Sequence, residues 1–295
     1  MERISFHDQI VRNKRKSAFL IVMIFLVIML LGYVIALIYS DVFWLIVIGA
    51  GIFSIIYVGI GYYNSDKIAL SSVNAKKANP QEYRQYHNIV EGLCLASGMP
   101  KPKLYVMESK DINAFATGED PKHSVICVTT GALEKLDKQE LEGVVGHELS
   151  HIANYDIRFM TLTAVLVGMI ALISQIFLRS LWFSGGRRDD KNSVWILLIG
   201  IILAILAPIF VYFVQMAISR KREFSADASA VKFIRSPSGL IKALKKIQKE
   251  VPDQEAKKKV NKALAPLFIS NPFKGRELSS THPPLSKRIS ILERM

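Results

Sequence analysis

Two long apolar runs near the start of the chain predict a pair of membrane-crossing helices. Residues 18–39 carry no charged side chain, and residues 42–63 repeat the pattern after a short turn at Ser40 and Asp41. A helix over 18–39 would be about 33 Å long, which is enough to cross a hydrocarbon core about 30 Å thick. A cleaved signal peptide is a poor alternative, because the first run is too long and no small-residue cleavage site precedes the second run.

Two further apolar runs, 160–178 and 194–217, predict a second helical hairpin. The third run is the least apolar, and the fourth contains Pro208, which a membrane helix tolerates as a kink. Buried core helices are the alternative for this pair. Basic residues before the first run and after the fourth place both termini in the cytoplasm by the positive-inside rule. The loop 179–193 would then lie outside, although it also carries basic side chains.

The composition excludes several broad classes of protein. Of the 295 residues, 51% are hydrophobic, and the mean hydropathy of +0.27 is high for a soluble enzyme, so disorder is excluded. The two cysteines, Cys94 and Cys127, form no disulfide framework and are expected to be reduced, buried thiols. The net charge is +13. Nucleic-acid binding is not expected, because the basic residues largely cluster beside the spans and no recognition motif is present.

The chain outside the apolar runs forms two blocks, 64–159 and 218–295. Four elements are predicted in the first block: a helix over 81–97, strands over Lys103–Met107 and Ser124–Thr130, and a helix from Asp137 to residue 152. Asp137 suits the N-cap position, with Glu140 as its capping-box partner. The second block is predicted to be helical and is interrupted by prolines. The predicted division is a tail and first transmembrane hairpin (1–65), the first part of a catalytic domain (66–159), a second hairpin (160–217) and the second part of that domain (218–295).

The strongest chemical signal is the sequence His147-Glu148-Leu149-Ser150-His151 in the helix predicted from Asp137. Histidines four residues apart lie about 40° apart around a helix axis, so both imidazoles can bind one zinc ion at about 2.0–2.1 Å. Glu148 is rotated by about 100° from His147. There it can act as general base on a water at the metal, and then as acid toward the leaving amine. Chance placement would give this pattern in roughly fewer than one such chain in a hundred.

A catalytic zinc needs a third protein ligand, and the acidic pair Glu223 and Asp227 is a better candidate than the remaining histidines. The pair lies on one helical face directly after the fourth run. Because the histidine motif precedes the third run, two membrane crossings return the chain to the same side. Glu223 is expected to bind zinc, and Asp227 to accept a hydrogen bond from a ligand histidine. Spacing alone does not fix which carboxylate has which role, and a solvated acidic pair is the alternative.

Together these motifs resemble the HtpX-type membrane zinc metalloproteases, bacterial relatives of the CAAX-prenyl endoproteases, over nearly the whole chain. Asn113-Ala114-Phe115-Ala116 matches the family's substrate-strand motif, and Thr281-His282-Pro283-Pro284 with Arg288 matches its C-terminal signature. The resemblance implies one zinc ion per chain. It also implies a multi-pass protease of the bacterial cytoplasmic (inner) membrane with a cytoplasmic active site. Its expected role is stress response and protein quality control, by cleavage of misfolded or damaged membrane proteins.

The accessory motifs also have physical interpretations. Asn113, Ala114, Phe115 and Ala116 lie between two predicted strands and suit a sheet edge, where an extended peptide can pair through its main chain. An ordinary loop is the alternative. His282 can donate a hydrogen bond to the oxyanion of a tetrahedral intermediate, or it can be a turn histidine before two prolines. Arg288 is expected to be structural and to hold an active-site carboxylate.

The predicted fold is therefore a membrane α+β protein: four transmembrane helices with a mostly helical zinc-peptidase domain that carries a small β-sheet. The predicted function is zinc-dependent endopeptidase, with protein or peptide substrates and the lipid bilayer as partners. The alternative is a membrane-anchored scaffold or adaptor that keeps zinc for structure. The intact Glu148 argues against this alternative, because a structural zinc needs no general base and a closed site would require a fourth ligand.

Overall fold

The computed structural model describes residues 6–38, 40–163, 220–250, 267–270 and 283–295. Within these ranges the fold is mostly helical and carries one small sheet. The helices are α1 (Phe6–Ile38), α2 (Phe43–Tyr63), α3 (Ser65–Ser72), α4 (Arg84–Ser97), α5 (Thr130–Lys135), α6 (Lys138–Ala153), α7 (Arg220–Ile234), α8 (Ser238–Lys249) and α9 (Leu285–Leu292). The strands are β1 (Lys76–Lys77), β2 (Lys103–Met107), β3 (Ala114–Gly118) and β4 (Ser124–Thr129). Residues 156–163 are also helical. The fourth apolar run, most of the third, the loop 179–193 and His282 lie outside the described ranges.

The helices α1 and α2 form a hairpin whose two members approach closely. A Cβ atom built on Gly32 of α1 would lie 2.2 Å from the Cβ of Ala50 on α2. Most apolar side chains of α2 nevertheless face outward, since the helix buries only Ser54, Tyr57 and Gly61. Among the described residues, α2 is the one helix that is long and apolar enough to cross a membrane, by length and composition alone.

The start of the third apolar run packs against this hairpin. Leu20 and Ile24 of α1, Tyr57 of α2, and Phe159 and Leu162 belong to one buried apolar cluster. The first hairpin and the helical residues 156–163 therefore share a packing surface.

The sheet has the strand order β1-β2-β4-β3. The central strands β2 and β4 run parallel, with Leu104 beside Ile126, while β1 and β3 pair antiparallel at the two edges. The strands β2 and β4 match the two predicted strands, although β4 ends at Thr129. Ala114 to Ala116 belong to the edge strand β3, so the loop alternative for this segment is wrong.

The helix α4 packs against α6, shares the core with the sheet through the bond of the Tyr86 hydroxyl to the carbonyl of Ile126, and agrees closely with the prediction for 81–97. It begins later, at Arg84, because a turn precedes it in which Asn79 accepts the N–H of Gln81. It ends at Ser97 as predicted, and Gly98 follows in the left-handed conformation at φ 69°. The two cysteines, Cys94 on this helix and Cys127 on β4, are free and buried, in agreement with the prediction.

The helix α6 lies at the centre of the fold. The predicted capping box is present: the Asp137 carboxylate accepts from the N–H of Glu140 at 2.9 Å, and the Glu140 carboxylate accepts from the N–H of Asp137 at 2.8 Å. Gly143 allows α8 to approach, because a Cβ there would lie 2.4 Å from the backbone nitrogen of Leu240. Every residue over 143–153 is buried. The histidine motif therefore lies in the interior of the protein.

Candidate metal centre

His147 and His151 point to the same side of α6, and their Nε2 atoms are 3.3 Å apart. The two residues are 0% and 4% exposed. Two nitrogens bound to a tetrahedral zinc ion at about 2.0–2.1 Å would be about 3.3–3.4 Å apart. The distance between the two Nε2 atoms therefore fits a shared zinc ion.

The helix α7 brings Glu223 to the same point. Its Oε1 is 3.6 Å from Nε2 of His151, and its Oε2 is 3.6 Å from Nε2 of His147. One ligand atom from each of the three residues lies within 4.8 Å of the others. Two histidines and one carboxylate form a donor set typical of catalytic zinc, which keeps a fourth position open for water or substrate.

Asp227 and Arg288 hold the opposite side of the His147 ring. Nδ1 of His147 donates to Oδ1 of Asp227 at 2.9 Å. From α9, Arg288 donates to both oxygens of Asp227, with distances of 2.9 Å from Nε and 2.6 Å from Nη2. Because Nδ1 carries the proton in this contact, Nε2 of the neutral ring keeps its lone pair for a metal. The contacts that the sequence predicts for Asp227 and Arg288 are thus both present.

A second pair of carboxylate and arginine holds His151, and the sequence analysis missed it. Nδ1 of His151 lies 3.1 Å from Oδ2 of Asp156, and Oδ1 of Asp156 lies 3.1 Å from Nε of Arg222. Both partners are buried. Arg222 is one of the basic residues after the fourth apolar run, which the sequence analysis uses only to orient the membrane spans. A sequence pattern could have indicated this pair: the acidic Asp156 follows soon after His151, and the basic Arg222 directly precedes Glu223.

Glu148 is only 1% exposed, and neither carboxylate oxygen has a hydrogen-bond partner within the described part of the chain. Burial of a carboxylate without a partner is strongly unfavourable unless another charge or a ligand compensates for it. Its neighbours His147 and His151 face the candidate metal position. A cation between these rings, with a reactant beside it, would provide that compensation.

The charge balance of the cluster also fits a divalent cation. Four carboxylates are buried here, those of Glu148, Asp156, Glu223 and Asp227. They are accompanied by two buried guanidinium groups, those of Arg222 and Arg288. With neutral histidines, the described residues of the cluster therefore carry two negative charges in excess. A zinc ion would neutralise this excess, which burial otherwise penalises.

The pKa values of the cluster also indicate that a positive charge is favoured between the two histidine rings. Burial raises the pKa of Glu148, and the two histidines offset this only in part. Burial and Arg288 lower the pKa of His147, but Asp227 and Glu223 outweigh them and raise it to about 9. Burial raises the pKa of Asp227, yet Arg288 and His147 lower it more, to about 2. The carboxylates thus favour a positive charge at the position between the rings.

The predicted substrate strand is paired with a segment of the same chain, 267–270. The N–H of Ile269 donates to the carbonyl of Ala114 at 2.9 Å. The side-chain amide of Asn113 forms two hydrogen bonds with the backbone of Ser270, as a neighbouring strand would. Its nitrogen donates to the carbonyl of Ser270 at 2.9 Å, and its oxygen accepts the N–H of Ser270 at 3.3 Å. The edge of β3 therefore binds this segment through one main-chain hydrogen bond at Ala114 and through the side chain of Asn113.

The same segment reaches the histidine cluster. Phe268 forms an antiparallel bridge to Phe115, and Nη1 of Arg288 donates to the carbonyl of Ile269 at 3.3 Å. Arg288 thus contacts both the segment beside the strand and the carboxylate that holds His147. His282 lies outside the described residues, so its position relative to the cluster stays a prediction.

A buried helix that carries two histidines facing one point and a buried glutamate beside them, completed by a glutamate ligand from another helix, is the arrangement of a metallopeptidase. Comparison with known families agrees. The sequence model of Peptidase family M48 matches residues 63–295, and the chain belongs to this family. The protein is therefore a metalloprotease.

Two relatives that match nearly their full length support the same class. The chain is 44% identical over 299 residues to a "Protease HtpX homolog" of Thermoanaerobacter pseudethanolicus, with 99% of each chain covered. It is 44% identical over 301 residues to a "Protease HtpX homolog" of Caldanaerobacter subterraneus subsp. tengcongensis, again with 99% of each covered. A crystal structure of S. mikatae Ste24p is distantly similar, with 19% identity and a TM-score of 0.47 over 96% of this chain and 65% of that one.

Proposed function

We propose that the protein is a zinc-dependent endopeptidase that hydrolyses peptide bonds of misfolded or damaged proteins, membrane proteins among them. His147, His151 and Glu223 would hold one zinc ion per chain, and Glu148 would be the general base. The observation that carries the proposal is the buried carboxylate of Glu148, which has no partner among the described residues and lies beside three ligand groups that fit one ion. A purely structural zinc would need a fourth protein ligand and no such carboxylate.

A bound zinc ion supplies positive charge that polarises a peptide carbonyl and makes water more acidic. Glu148 accepts a proton from the attacking water, whose oxygen joins the carbonyl carbon. When the C–N bond breaks, Glu148 passes that proton to the leaving amine nitrogen. The raised pKa of Glu148 suits a group that must first accept and then release a proton. We assign His282 the donation of a hydrogen bond to the carbonyl oxygen as negative charge develops there.

The edge strand β3 is the proposed binding site for an extended substrate, through Asn113, Ala114, Phe115 and Ala116. Main-chain pairing requires little of the substrate's sequence, which suits an enzyme that acts on misfolded chains. Because the carbonyl of Ala114 is paired with Ile269, an incoming peptide must displace that segment or pair at Ala116, whose peptide groups face the same way.

We further propose a multi-pass protein of the bacterial inner membrane, with spans at 18–39, 42–63, 160–178 and 194–217. The proposed domain division is 1–65, 66–159, 160–217 and 218–295, with both termini and the active site in the cytoplasm. The outward-facing apolar side chains of α2 support membrane insertion of the first hairpin. The position of the metal ligands, one group before the third run and the other after the fourth, supports a site at the membrane surface.

Hydrolysis of unfolded casein by the purified full-length protein tests the catalytic proposal. We expect no cleavage after a chelator has removed metal, and restored cleavage when one equivalent of zinc is added back. The variant His147→Ala should remain inactive in zinc. The matched control is His123→Ala, which removes an exposed histidine paired with Asp120 far from the cluster in sequence. Cleavage that persists in chelator, or in His147→Ala, would contradict zinc catalysis.

Single cysteines labelled with a membrane-impermeant reagent test the topology. Labels near residues 75 and 230 should react only from the cytoplasmic side, and a label near residue 185 only from outside. The native Cys94 and Cys127 are buried, so they should contribute little background. Reaction of residue 185 from the cytoplasm would show that the second hairpin does not span, and would leave the zinc site unaffected.

A further inference from the structure

We infer that Asp156, held by Arg222, is the positioning residue of His151, and that this pair is the counterpart of Asp227 and Arg288 on His147. The inference rests on the proposed zinc site. It assigns a role to two residues outside the histidine motif and outside the ligand set. Each metal-facing ring would then be fixed by its own carboxylate, and each carboxylate by its own arginine.

The two rings are held through the same nitrogen, Nδ1, although Arg288 binds both oxygens of Asp227 and Nε of Arg222 lies beside one oxygen of Asp156. Nδ1 of His151 lies 3.1 Å from Oδ2 of Asp156, as Nδ1 of His147 lies 2.9 Å from Oδ1 of Asp227. The second oxygen of Asp156 lies 3.1 Å from Nε of Arg222. In both cases Nδ1 is turned away from the neighbouring ring, while the two Nε2 atoms face each other at 3.3 Å.

This arrangement fixes the chemical form of His151. A carboxylate can only accept a hydrogen bond, so Nδ1 of His151 must carry the proton. The lone pair of the neutral ring is then on Nε2, the nitrogen that faces His147 and Glu223. Such partners typically change metal affinity or activity by about 10–100-fold when they are removed.

The backbone after α6 is shaped to deliver Asp156 to this position. Tyr155 adopts the left-handed conformation at φ 57°, which is unfavourable for a residue with a side chain. This residue turns the chain sharply between the end of α6 and the helical residues 156–163. Asp156, the first residue after the turn, is thereby brought back beside His151, one turn from the end of α6.

The pair also joins the two ends of the proposed second membrane hairpin. Asp156 lies four residues before the third apolar run, and Arg222 lies five residues after the fourth. The guanidinium of Arg222 also lies over the ring of Phe159, 5.6 Å from its centroid. Asp156 is 2% exposed and Arg222 is 8% exposed, so their contact is shielded from solvent and salt. The hairpin ends are therefore linked to a metal-facing ring through one buried ion pair.

Zinc affinity of the full-length protein, measured by competition with a chromophoric chelator, tests the inference without use of catalysis. Asp156→Asn should weaken zinc binding by about 10–100-fold. The matched control is Asp120→Asn, because Asp120 contacts Nδ1 of His123 at the same distance of 3.1 Å on the protein surface. This control should bind zinc within about twofold of wild type. Equal affinities of Asp156→Asn and wild type would overturn the inference.

Two further measurements separate positioning from general loss of structure. The cobalt-substituted protein should show an altered visible absorption band in Asp156→Asn, because the orientation of a ligand ring changes. Arg222→Met should weaken zinc binding less than Asp156→Asn does, and the double variant should be no weaker than Asp156→Asn alone. Losses of zinc affinity that add up in the double variant would overturn the inferred pairing. If Asp156→Asn does not fold, the zinc affinity of Arg222→Met alone tests the inference, and a wild-type affinity would overturn it. A wild-type protein that binds no zinc would instead refute the proposed metal site itself.

Discussion

The helices α6 and α2 depart from the usual burial of side chains in opposite ways. The helix α6 buries charged and polar side chains, whereas α2 exposes apolar ones. Of the 16 residues of α6, 13 are buried, and these include His147, Glu148 and His151. Of the 21 residues of α2, only three are buried, although the helix contains no charged side chain. Bulky apolar side chains of α2 face outward, Ile52 at 55% and Leu45 at 73% exposed among them. Either arrangement would be unfavourable for a protein surrounded by water alone.

The two departures indicate two different compensating partners. The buried carboxylate of Glu148 on α6 has no partner among the described residues, and the spacing of the neighbouring ligand atoms fits a zinc ion. In α2 the exposed apolar side chains require an apolar surrounding, and the length of the helix fits a bilayer. A bound zinc ion would explain the buried charged groups of α6, and a surrounding bilayer would explain the exposed apolar side chains of α2. The predictions below change these two sets of residues in turn.

Removal of a metal ligand should have the largest effect. Glu223→Ala leaves two protein ligands, so zinc per chain, measured by elemental analysis, should fall sharply and hydrolysis should be lost. Asp227→Ala only frees the back of the His147 ring and should weaken zinc binding by about 10–100-fold. If Asp227→Ala loses the metal outright while Glu223→Ala retains it, the two carboxylates have exchanged roles.

A charge placed in the middle of α2 tests the other half of the comparison. Ile52→Lys should cost about 2.5–3.5 kcal/mol of insertion free energy, because a lysine at the centre of a span is poorly accommodated in lipid. The fraction of chains in which a cysteine at position 41 reacts from outside should fall accordingly. The control Ile52→Ala should change this fraction little. Equal fractions for the two variants would show that α2 does not lie in lipid.

Close packing within the first hairpin gives a smaller effect. In Gly32→Ala the new methyl group would lie 2.2 Å from the Cβ of Ala50, so α1 and α2 must separate. We expect a loss of about 1–3 kcal/mol in the free energy of unfolding, measured by thermal or denaturant unfolding in mild detergent. Gly49→Ala is the matched control, because a Cβ at Gly49 meets nothing within 4 Å. A loss of similar size in both variants would argue against the close approach.

The smallest predicted effect concerns the start of α6. Asp137→Ala removes the capping contact to the N–H of Glu140 and should cost about 1 kcal/mol of stability. Zinc affinity should stay unchanged, because the cap lies more than two helical turns from His147. Lys138→Ala, which alters an exposed neighbour, should be neutral in the same unfolding experiment. A change in zinc affinity in Asp137→Ala would show that the cap also positions the ligands.

The features that the sequence predicts correctly are those set by local chemistry. The capping box at Asp137, the end of α4 at Ser97 and the strand Lys103–Met107 each depend on neighbouring residues and are found as predicted. The meeting of His147, His151 and Glu223 was predictable, because a helical repeat aligns the two histidines and two predicted membrane crossings would return the chain to the same side.

The features that the sequence analysis missed depend on tertiary structure. Asp156 reaches His151 because Tyr155 before it is left-handed, and a tyrosine, unlike a glycine, does not indicate that conformation in a sequence. Arg222 lies among basic residues that the sequence analysis used only to orient the membrane spans. The pairing of 267–270 with β3 joins segments far apart in the chain, and no local pattern indicates it. The fourth span and the role of His282 stay predictions, because they concern residues outside the described ranges.

One preparation of Glu148→Gln, analysed both for zinc content and for casein hydrolysis, tests the proposed mechanism most directly. The substitution keeps the shape of the side chain and leaves the three proposed ligands in place, so the variant should bind one zinc ion per chain with near wild-type affinity. Hydrolysis should fall on the order of 10²–10⁴-fold, because the amide cannot accept the proton of the attacking water. A variant that holds zinc and cleaves casein at the wild-type rate would show that Glu148 is not the general base.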